Sequence, residues 1–240
     1  MKILAVDVGG TQVKLLASGH SEPRAMPSGK TLTPARMVRA VKKLARDWDF
    51  DAVSIGFPGI AGLSGPASEP GNLGHGWVGF DFAAAFERPV KVANDAAMQA
   101  LGSYDGGRML FLGLGTGVGA ALIAEKAIVP MELSELPWNK RAETIGDVLS
   151  SAGLKRIGAR RWRRIVDLVT RRMMKAFLVD YVVIGGGNAK KLKKLPHGVR
   201  LGHNLTAFRG GFRLWGVEDV PMLSPDAPPQ AREPIEWRLV

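Results

Sequence analysis

Val6-Asp7-Val8-Gly9-Gly10-Thr11-Gln12-Val13-Lys14 is the stretch around which the rest of the chain is arranged. The apolar run Ile3-Leu4-Ala5-Val6 leads into it and another, residues 13–17, follows, which predicts two strands joined by a tight turn. Glycine allows a positive φ and has no Cβ, so the turn can offer backbone N–H groups to a phosphate, with Thr11 as a further donor. Asp7, at the end of a buried strand, is placed to hold Mg²⁺ through water. The alternative is an ordinary Gly-Gly hairpin with a solvated Asp7, and only later motifs decide between the two.

The composition is that of a globular protein with one large core or two small lobes, since 46% of the 240 residues are hydrophobic. The sequence contains no Cys, which excludes disulfides and thiolate metal sites. Met1-Lys2 runs straight into the first apolar run, so we expect no signal peptide. No apolar stretch approaches the roughly 18 residues of a membrane span. We therefore predict a cytoplasmic protein with no membrane partner.

The net charge of +11 is concentrated in one segment of the chain. Residues 154–200 contain fourteen of the 33 Lys and Arg residues but only two of the 22 acids, Asp167 and Asp180. That segment carries a net charge of +12, and the remaining residues together carry −1. A field of one sign concentrates polyanions near it.

A helix and a long loop follow the first hairpin. Apolar residues recur at helical spacing over residues 34–48, and residues 51–57 form a buried strand that ends in a Pro-Gly turn. Residues 62–79 are dense in glycine and contain Asn72. Long loops in compact domains often carry function.

The next strand, residues 89–93, ends at the pair Asn94-Asp95, where a helix over residues 96–101 begins. An Asn-Asp pair at a strand-to-helix junction has two interpretations. Asp95 is either part of the helix N-cap or a base that faces a cleft, and the sequence gives them equal weight.

A second glycine hairpin follows the pattern of the first. Residues 108–114 predict a strand, Gly115-Thr116-Gly117-Val118-Gly119 a tight turn, and residues 120–124 a second strand. A single G-x-G pattern is weak evidence, but its recurrence about a hundred residues later predicts two duplicated lobes that face each other across a cleft.

Residues 154–178 form the longest predicted helix, whose apolar stripe includes Trp162 and Phe177. Basic residues fill its other face: Arg160, Arg161, Arg163, Arg164, Arg171, Arg172 and Lys175. The aromatic residues lie on the apolar stripe rather than among the arginines, so no stacking platform for nucleic acid is predicted. The alternative to a polyanion-binding face is a solvated one.

A third glycine motif, Gly185-Gly186-Gly187-Asn188, follows a predicted strand over residues 180–184. A helix is predicted from Ala189, and a helix N-terminus at glycines is a ready site for an anion or nucleotide. A last helix over residues 204–215 is interrupted at Gly210-Gly211, and five prolines beyond Gly216 predict an extended tail.

The chain resembles the sugar kinases of the repressor, open reading frame and kinase (ROK) family, and bacterial polyphosphate glucokinases in particular. The resemblance runs from Met1 to about Trp215 and rests on Asp7-Val8-Gly9-Gly10-Thr11, Asn94-Asp95, Gly115-Thr116-Gly117-Val118-Gly119 and Gly185-Gly186-Gly187. It implies an α/β, two-lobed actin-like ATPase (ribonuclease H-like) fold with an inter-lobe cleft. We expect an N-terminal lobe over residues 1–102, a C-terminal lobe over 103–216 and a Pro-rich tail over 217–240. A homodimer is also expected.

The resemblance implies a role for each motif. The phosphate-binding residues are Asp7, Gly9, Gly10, Thr11, Lys14, Gly115, Thr116 and Gly117, with Asp7 holding Mg²⁺ through water. The nucleotide-binding residues are Gly185, Gly186, Gly187 and Asn188. The sugar-binding residues are Asn72, Asn94, Asp95, Glu132 and Glu135. Asp95 is the catalytic base, since phosphoryl transfer requires an aligned hydroxyl, a group that takes its proton, Mg²⁺ and donors on the γ-oxygens.

Three departures from the family pattern are visible. The zinc motif of one His and three Cys has no counterpart, so no zinc is expected. Relatives have Glu-x-Gly-His where this chain has Glu132-Leu133-Ser134-Glu135, so that Glu135 takes the place of a sugar-contacting His. A further sugar-contacting Glu of the family has only Glu143 as a candidate. Glu132 and Glu135 share a face if their segment is helical, and a solvated loop is the alternative.

The predicted function is transfer of a phosphoryl group from polyphosphate, from ATP or from both to the 6-hydroxyl of a hexose, with glucose as the expected sugar. The basic segment favours polyphosphate, a long polyanion. A catalytically weak sugar-binding or regulatory relative is the first alternative, motivated by Glu135, and an ATP-only kinase of another sugar is the second. A nucleic-acid-binding protein is a third, disfavoured by the absence of a stacking platform.

Overall fold

The structure is a computed structural model that describes residues 1–62, 65–139, 142–203, 205–217 and 237–240. Two main β-sheets, of five and six strands, are built largely from the first and second halves of the chain. Among the described residues, no helix has the length and apolar character that crossing a membrane requires.

The first sheet has the strand order β3-β2-β1-β4-β7. The elements of this half are, in chain order, β1 (Ile3–Val8), β2 (Gln12–Ala17), β3 (Arg24–Pro27), α1 (Pro34–Leu44), β4 (Ala52–Phe57), β5 (Ala61–Gly62), β6 (Gly65–Pro66), α2 (Phe82–Phe86), β7 (Val90–Asn94) and α3 (Asp95–Ser103). β1, β4 and β7 are parallel, β2 is the antiparallel neighbour of β1, and β3 pairs antiparallel with β2 at the edge of the sheet. Parallel strands end at one edge of the sheet, which brings the ends of β1, β4 and β7 together.

The second sheet has the strand order β12-β11-β8-β9-β10-β13. The elements of this half are β8 (Met109–Leu114), β9 (Val118–Ala124), β10 (Ala127–Met131), α4 (Ile145–Leu149), α5 (Ser151–Ile157), α6 (Ala159–Phe177), β11 (Tyr181–Gly185), β12 (Val199–Leu201), α7 (Thr206–Arg213) and β13 (Arg238–Leu239). Single 3₁₀ turns occur at Leu133–Glu135 and Ala189–Lys191.

β1 is apolar along nearly all its length because both of its faces are buried. Leu4 and Val6 lie in the cluster that also contains the apolar face of α1, whereas Ile3 and Ala5 lie in the cluster of α7. A strand at the centre of a sheet that is covered on both sides has a continuous apolar sequence rather than an alternating one. This explains why the opening run could be recognised as a strand without alternation.

Two helices cross at very short distance between the sheets. α3 packs its alanines and Leu101 on the second sheet, while α7 packs Phe208 and Phe212 on the first. A Cβ on Gly102 would overlap the carbonyl oxygen of Thr206, and a Cβ on Gly210 would overlap a carbonyl oxygen of α3. Only glycine at these positions lets the helices approach so closely, so this crossing fixes how the two sheets face each other.

The strand predictions are confirmed for both glycine hairpins and for β4, β7 and β11. Helices follow β3 and β7 as predicted, although α1 ends at Leu44 rather than at residue 48. The two-lobed α/β fold is also confirmed. The short strands β10, β12 and β13 and the helices α2 and α4 were not predicted.

Three helix predictions were wrong in part. The helix predicted over 154–178 is two helices, because Gly158, with a φ of 76°, ends α5 and begins α6. The helix predicted from Ala189 is a single 3₁₀ turn, since the Asn188 side chain bonds elsewhere instead of capping it. The predicted interruption of the last helix at Gly210-Gly211 does not occur, because tight packing against α3 offsets the low helix propensity of glycine.

Two predictions fall partly outside the described residues. They are the start of the last helix at Asn204 and most of the tail over residues 217–240. Of that tail, Arg238–Leu239 forms β13, parallel to β10 at the edge of the second sheet. The lobe boundary at residue 102 stays a prediction, to which the structure adds that α7 follows the second lobe in sequence but packs on the first sheet.

Candidate active site

Asp7 and Asp95 lie on either side of Gly56. Asp7 near the end of β1 is in parallel register with Gly56 of β4, and the Cα of Asp95 lies 3.6 Å from where a Cβ on Gly56 would stand. Met98 of α3 closes over the same glycine. The absence of a side chain at Gly56 thus lets α3 begin directly against the sheet and brings the two carboxylates into one cleft.

The cleft shifts the ionisation of both carboxyl groups. The pKa of Asp95 is raised to about 7, mainly by burial, then by the negative charge of Asp7 and, least, by the charge of Glu132. The backbone N–H of Ala96 donates to Asp95 Oδ1 at 2.7 Å and opposes the shift. Burial raises the pKa of Asp7 to about 6, while its cross-strand neighbour Lys14 lowers it. An acid tuned to near neutral pH is suited to accept a proton.

The N-cap of α3 is Asn94, not Asp95. The Asn94 Oδ1 accepts the backbone N–H of Ala97 at 3.1 Å, and its Nδ2 donates to the carbonyl oxygen of Gly59 at 3.0 Å. This leaves Asp95 at the first position of the helix, where its Oδ1 accepts the backbone N–H of Ala96. Because the cap is already supplied, the second oxygen of the Asp95 carboxylate is available to a substrate.

The first glycine turn meets the long loop at Asn72. A Cβ on Gly10 would stand 2.7 Å from Asn72 Nδ2, so that Gly10 makes room for the amide. The backbone N–H of Gly9 donates to the carbonyl oxygen of Gln12 at 3.0 Å and closes the turn, which leaves Thr11 exposed at its tip. The structure therefore places a predicted sugar-binding residue against the predicted phosphate-binding turn.

The second glycine turn is held by Ser151 and Asn188. The Ser151 backbone N–H and its hydroxyl both donate to the carbonyl oxygen of Gly115 at 2.8 Å. Asn188 Nδ2 donates to Ser151 Oγ at 2.9 Å and to the same Gly115 oxygen at 3.3 Å. The third glycine motif packs on this turn as well, since a Cβ on Gly186 would stand 2.5 Å from the Leu114 oxygen. The predicted nucleotide loop and the second phosphate turn are thus one assembly.

The second hairpin also reaches the start of α3. A Cβ on Gly119 would stand 2.9 Å from the Cβ of Ala96, the residue after Asp95. Asp95 therefore lies between the sheet that carries the first glycine turn and the hairpin that carries the second.

The two acids of the segment after β10 differ in position. Glu132 is close enough to raise the pKa of Asp95, and its carboxylate accepts the hydroxyl of Ser134. Glu135 ends the 3₁₀ turn with an exposed side chain, and within the described ranges no hydrogen bond or ion pair joins that side chain to another predicted site residue. Glu143 pairs with Arg156 and accepts Asn139 Nδ2 at 2.6 Å. The structure thus brings Glu132 to the site and ties Glu143 to a cation elsewhere.

The donor set at Asp7 fits Mg²⁺. In the part of the chain that the structure describes, no group of three or more His, Asp and Glu side chains has the geometry of a metal site. Mg²⁺ usually keeps several waters and binds through one or two carboxylates together with substrate phosphates, so Asp7 beside the glycine turn is sufficient. A cation there would also lower the pKa of Asp7, because its positive charge favours the ionised carboxylate.

A family model described as the ROK family matches residues 3–130, just over half of the chain. The chain belongs to the ROK family. A glucokinase from Pyrobaculum calidifontis is 29% identical to the ROK chain over 136 residues, which are 53% of this chain and 45% of that protein. The match thus spans less than half the length of this curated relative.

Two solved structures have the same fold as the ROK chain. The inorganic polyphosphate/ATP-glucomannokinase of Arthrobacter sp. strain KM gives a TM-score of 0.74 at 22% identity, over 87% of this chain and 96% of that one. A ROK family glucokinase from Streptomyces griseus, in complex with glucose and AMPPNP, gives 0.68 at 15% identity, over 88% and 97%. At these identities the likeness shows the fold alone.

Two residues of the ROK site were missed by sequence reasoning. From the sequence, Gly56 was assigned only to a buried strand, because its role depends on its position between Asp7 and Asp95 in the folded structure. Ser151 was missed because the predicted helix began at 154, although Ser150-Ser151 before an apolar run is an N-terminal helix signal.

Proposed function

We propose that the ROK chain is a sugar kinase that transfers a phosphoryl group from polyphosphate, from ATP or from both to the 6-hydroxyl of a hexose, with glucose as the first candidate. The observation that carries the proposal is Asp95, whose pKa is raised to about 7 between the two glycine turns and beside Asp7. A carboxyl group whose pKa lies near neutrality in a cleft is suited to accept a proton from a substrate hydroxyl.

In the proposed reaction, Asp95 orients the attacking hydroxyl and accepts its proton as the bond from that oxygen to the transferred phosphorus forms. The bond between this phosphorus and the bridging oxygen of the donor breaks, and the donor leaves as ADP or as a polyphosphate shortened by one unit. Backbone N–H groups of the turns at Gly9-Gly10 and at Gly115–Gly117 stabilise the charge on the transferring group, with Thr11 and Thr116 as further donors. Asp7 would hold Mg²⁺ through water, and the bound cation would supply positive charge to the donor phosphates. Lys14, which is paired with Asp7 across the hairpin, adds a positive charge at the same place.

The proposed sugar contacts come from three segments. Asn72, in the long loop, packs against Gly10 of the first turn, and Asn94 keeps one amide proton after its bond to Gly59. Both side chains can therefore donate to sugar hydroxyls. Glu132 supplies a carboxylate acceptor close to Asp95. Glu135, whose side chain is exposed, would have to turn inward to contact the sugar.

The proposed donor site is the assembly of the second turn with Gly185, Gly186, Gly187 and Asn188. Gly187 has open space where a Cβ would stand, which allows a ligand to approach its backbone. The Asn188 side chain is occupied by Gly115 and Ser151, so its role is to hold the turn rather than to touch the nucleotide. The names of the two structural neighbours, a polyphosphate/ATP-glucomannokinase and a glucokinase, support both donors and a hexose acceptor.

The test is an activity matrix in which ATP and polyphosphate are each offered with glucose, mannose and other hexoses, with Mg²⁺ present and absent. The proposal predicts Mg²⁺-dependent formation of a hexose 6-phosphate with at least one donor. Sugar binding by calorimetry without turnover for any pair would contradict it and favour a catalytically weak, regulatory relative.

A further inference from the structure

The basic face of α6 carries four arginines that form no ion pair with any acid in the described part of the chain. Asp167 pairs with Arg171 and Glu143 pairs with Arg156. Within the described ranges, none of Arg160, Arg161, Arg163 and Arg164 forms an ion pair. Residues three and four apart on a helix are neighbours, so these guanidinium groups repel one another in the absence of an anion.

Three of these arginines line a surface basin. A depression of about 570 Å³ is formed by Ile157, Gly158, Ala159, Arg160, Arg161 and Arg164. Arg161 and Ile157 also line an adjoining cavity of about 260 Å³ next to Trp138. Since guanidinium groups bind phosphate oxygens through paired N–H donors, a concave surface that presents three of them suits a phosphate chain.

A single hydrogen bond ties α6, the helix that carries the arginine basin, to the turn beside the donor site. Arg163 Nε donates to the carbonyl oxygen of Lys191 at 2.9 Å, which joins α6 to the 3₁₀ turn that follows the third glycine motif. Arg163 keeps four of its five N–H donors after this bond. The side chains of Lys190 and Lys191 are exposed on that turn, two and three residues beyond Asn188, which is itself bonded to Gly115.

We infer that Lys190, Lys191 and Arg163 lead from the donor site to the arginine basin, and that this basic path holds the distal phosphates of a long polyphosphate chain. The inference deepens the proposed function and rests on it for the identity of the donor. A chain whose end reaches the glycine turns would leave the cleft over the lysines and continue into the basin. This path requires that ATP and short phosphate chains bound at the glycine turns end before the basin. The site therefore selects for chain length, a property that a solvated basic face would not produce.

The test compares two charge-matched triple variants. Arg160→Gln/Arg161→Gln/Arg164→Gln removes three charges from the basin, and Arg39→Gln/Lys43→Gln/Arg46→Gln removes three exposed charges on and just beyond α1. Binding of long-chain polyphosphate and of tripolyphosphate is measured by calorimetry over a salt series, and circular dichroism melts check folding.

We expect the basin variant to lose about tenfold in affinity for the long chain. Its slope of log affinity against log salt should shrink by about 2, since each lost contact contributes roughly 0.7 for a single-stranded polyanion. The control should match the wild type.

Several results would overturn the inference. One is that the control variant loses as much affinity for the long chain as the basin variant does. Another is that the basin variant loses as much affinity for tripolyphosphate as for the long chain. A third is that the protein binds a single-stranded DNA of similar charge more tightly than polyphosphate. The last result would indicate a nucleic-acid surface instead. Turnover separates this inference from the proposed function. Basin-dependent binding without phosphoryl transfer contradicts polyphosphate as the donor and supports the path, whereas transfer that ignores the basin contradicts the path alone.

Discussion

Asp95 and Asp7 are two acids that the cleft holds close enough for each to influence the other. Burial and the charge of Asp7 raise the pKa of Asp95 to about 7, and a base must be ionised to accept a proton. We therefore expect kcat/KM to fall as the pH drops below about 7, with apparent pKa values that belong to the pair. A profile measured between pH 5 and 9 checks this. Full activity retained down to pH 5 would show that no raised carboxyl takes part.

The same shift makes Asp95 a source of instability. The folded protein holds a proton on Asp95 up to about pH 7, whereas the unfolded chain releases it near 3.8. Between these values stability falls as pH rises, because the folded state binds more protons. Asp95→Asn should therefore be more stable than the wild type at pH 8, with the difference vanishing towards pH 4. Thermal melts at both pH values test the sign, and a variant that is less stable at pH 8 would contradict it.

At this scale the sequence predicted the residue types and their order but not their distances. The pair Asn94-Asp95 left a cap and a base as equal alternatives, and only the bond from Ala97 to Asn94 assigns the cap. Gly56 could not be found at all, because its role depends on the two carboxylates that tertiary packing places beside it.

The crossing of α3 and α7 depends on glycine. We expect Gly210→Ala to lower the free energy of unfolding by about 1–3 kcal/mol or more, because the new methyl group overlaps the Met98 carbonyl oxygen. Gly71→Ala is the matched control, since nothing lies within 4 Å of a Cβ there, and it should change stability by less than about 0.5 kcal/mol. Chemical denaturation measures both. Equal free energies for the two variants would show that the helices can separate at no cost.

The start of α5 positions the second glycine turn. Ser151→Ala removes the hydroxyl that donates to Gly115 and accepts from Asn188, so kcat/KM for the donor should fall roughly fivefold, equivalent to about 1 kcal/mol. KM for the sugar should stay unchanged. Ser103→Ala, which removes a comparable bond to the Gln99 carbonyl oxygen at the far end of α3, serves as the control. An equal fall in both variants would assign Ser151 a general structural role.

Elements were predicted well where pattern alone determines them. The two hairpins have apolar runs on both sides of a glycine turn, and the strands formed as predicted. The helix over 154–178 was predicted as one because a single Gly158 does not disturb an apolar stripe, although its positive φ turns the chain. Conversely, the helix break predicted at Gly210-Gly211 does not occur, because the close crossing with α3 requires glycine, a residue that helix propensity disfavours.

In the whole molecule, each half of the chain supplies one helix that packs on the sheet of the other half, and no sequence pattern indicates this. α3 comes from the first half and packs on the second sheet, and α7 does the reverse. The duplicated hairpins predicted two lobes and a cleft, but not the crossing that joins them. The sequence shows a net charge of +12 over residues 154–200. The proposed path from Lys190 to the basin could be inferred only from the hydrogen bond between Arg163 and Lys191 in the structure.

Asp95→Asn tests most directly the proposal that Asp95 accepts the proton of the substrate hydroxyl. The substitution keeps the size of the side chain and leaves the Asn94 cap in place, so the fold should persist. We expect kcat for phosphoryl transfer to a hexose to fall at least about 10²-fold. Asp81→Asn, the same change at the N-cap of α2, should keep the wild-type kcat. A folded Asp95→Asn protein with a kcat close to that of the wild type would contradict the account and leave Asp95 as an ordinary residue of the first helical turn.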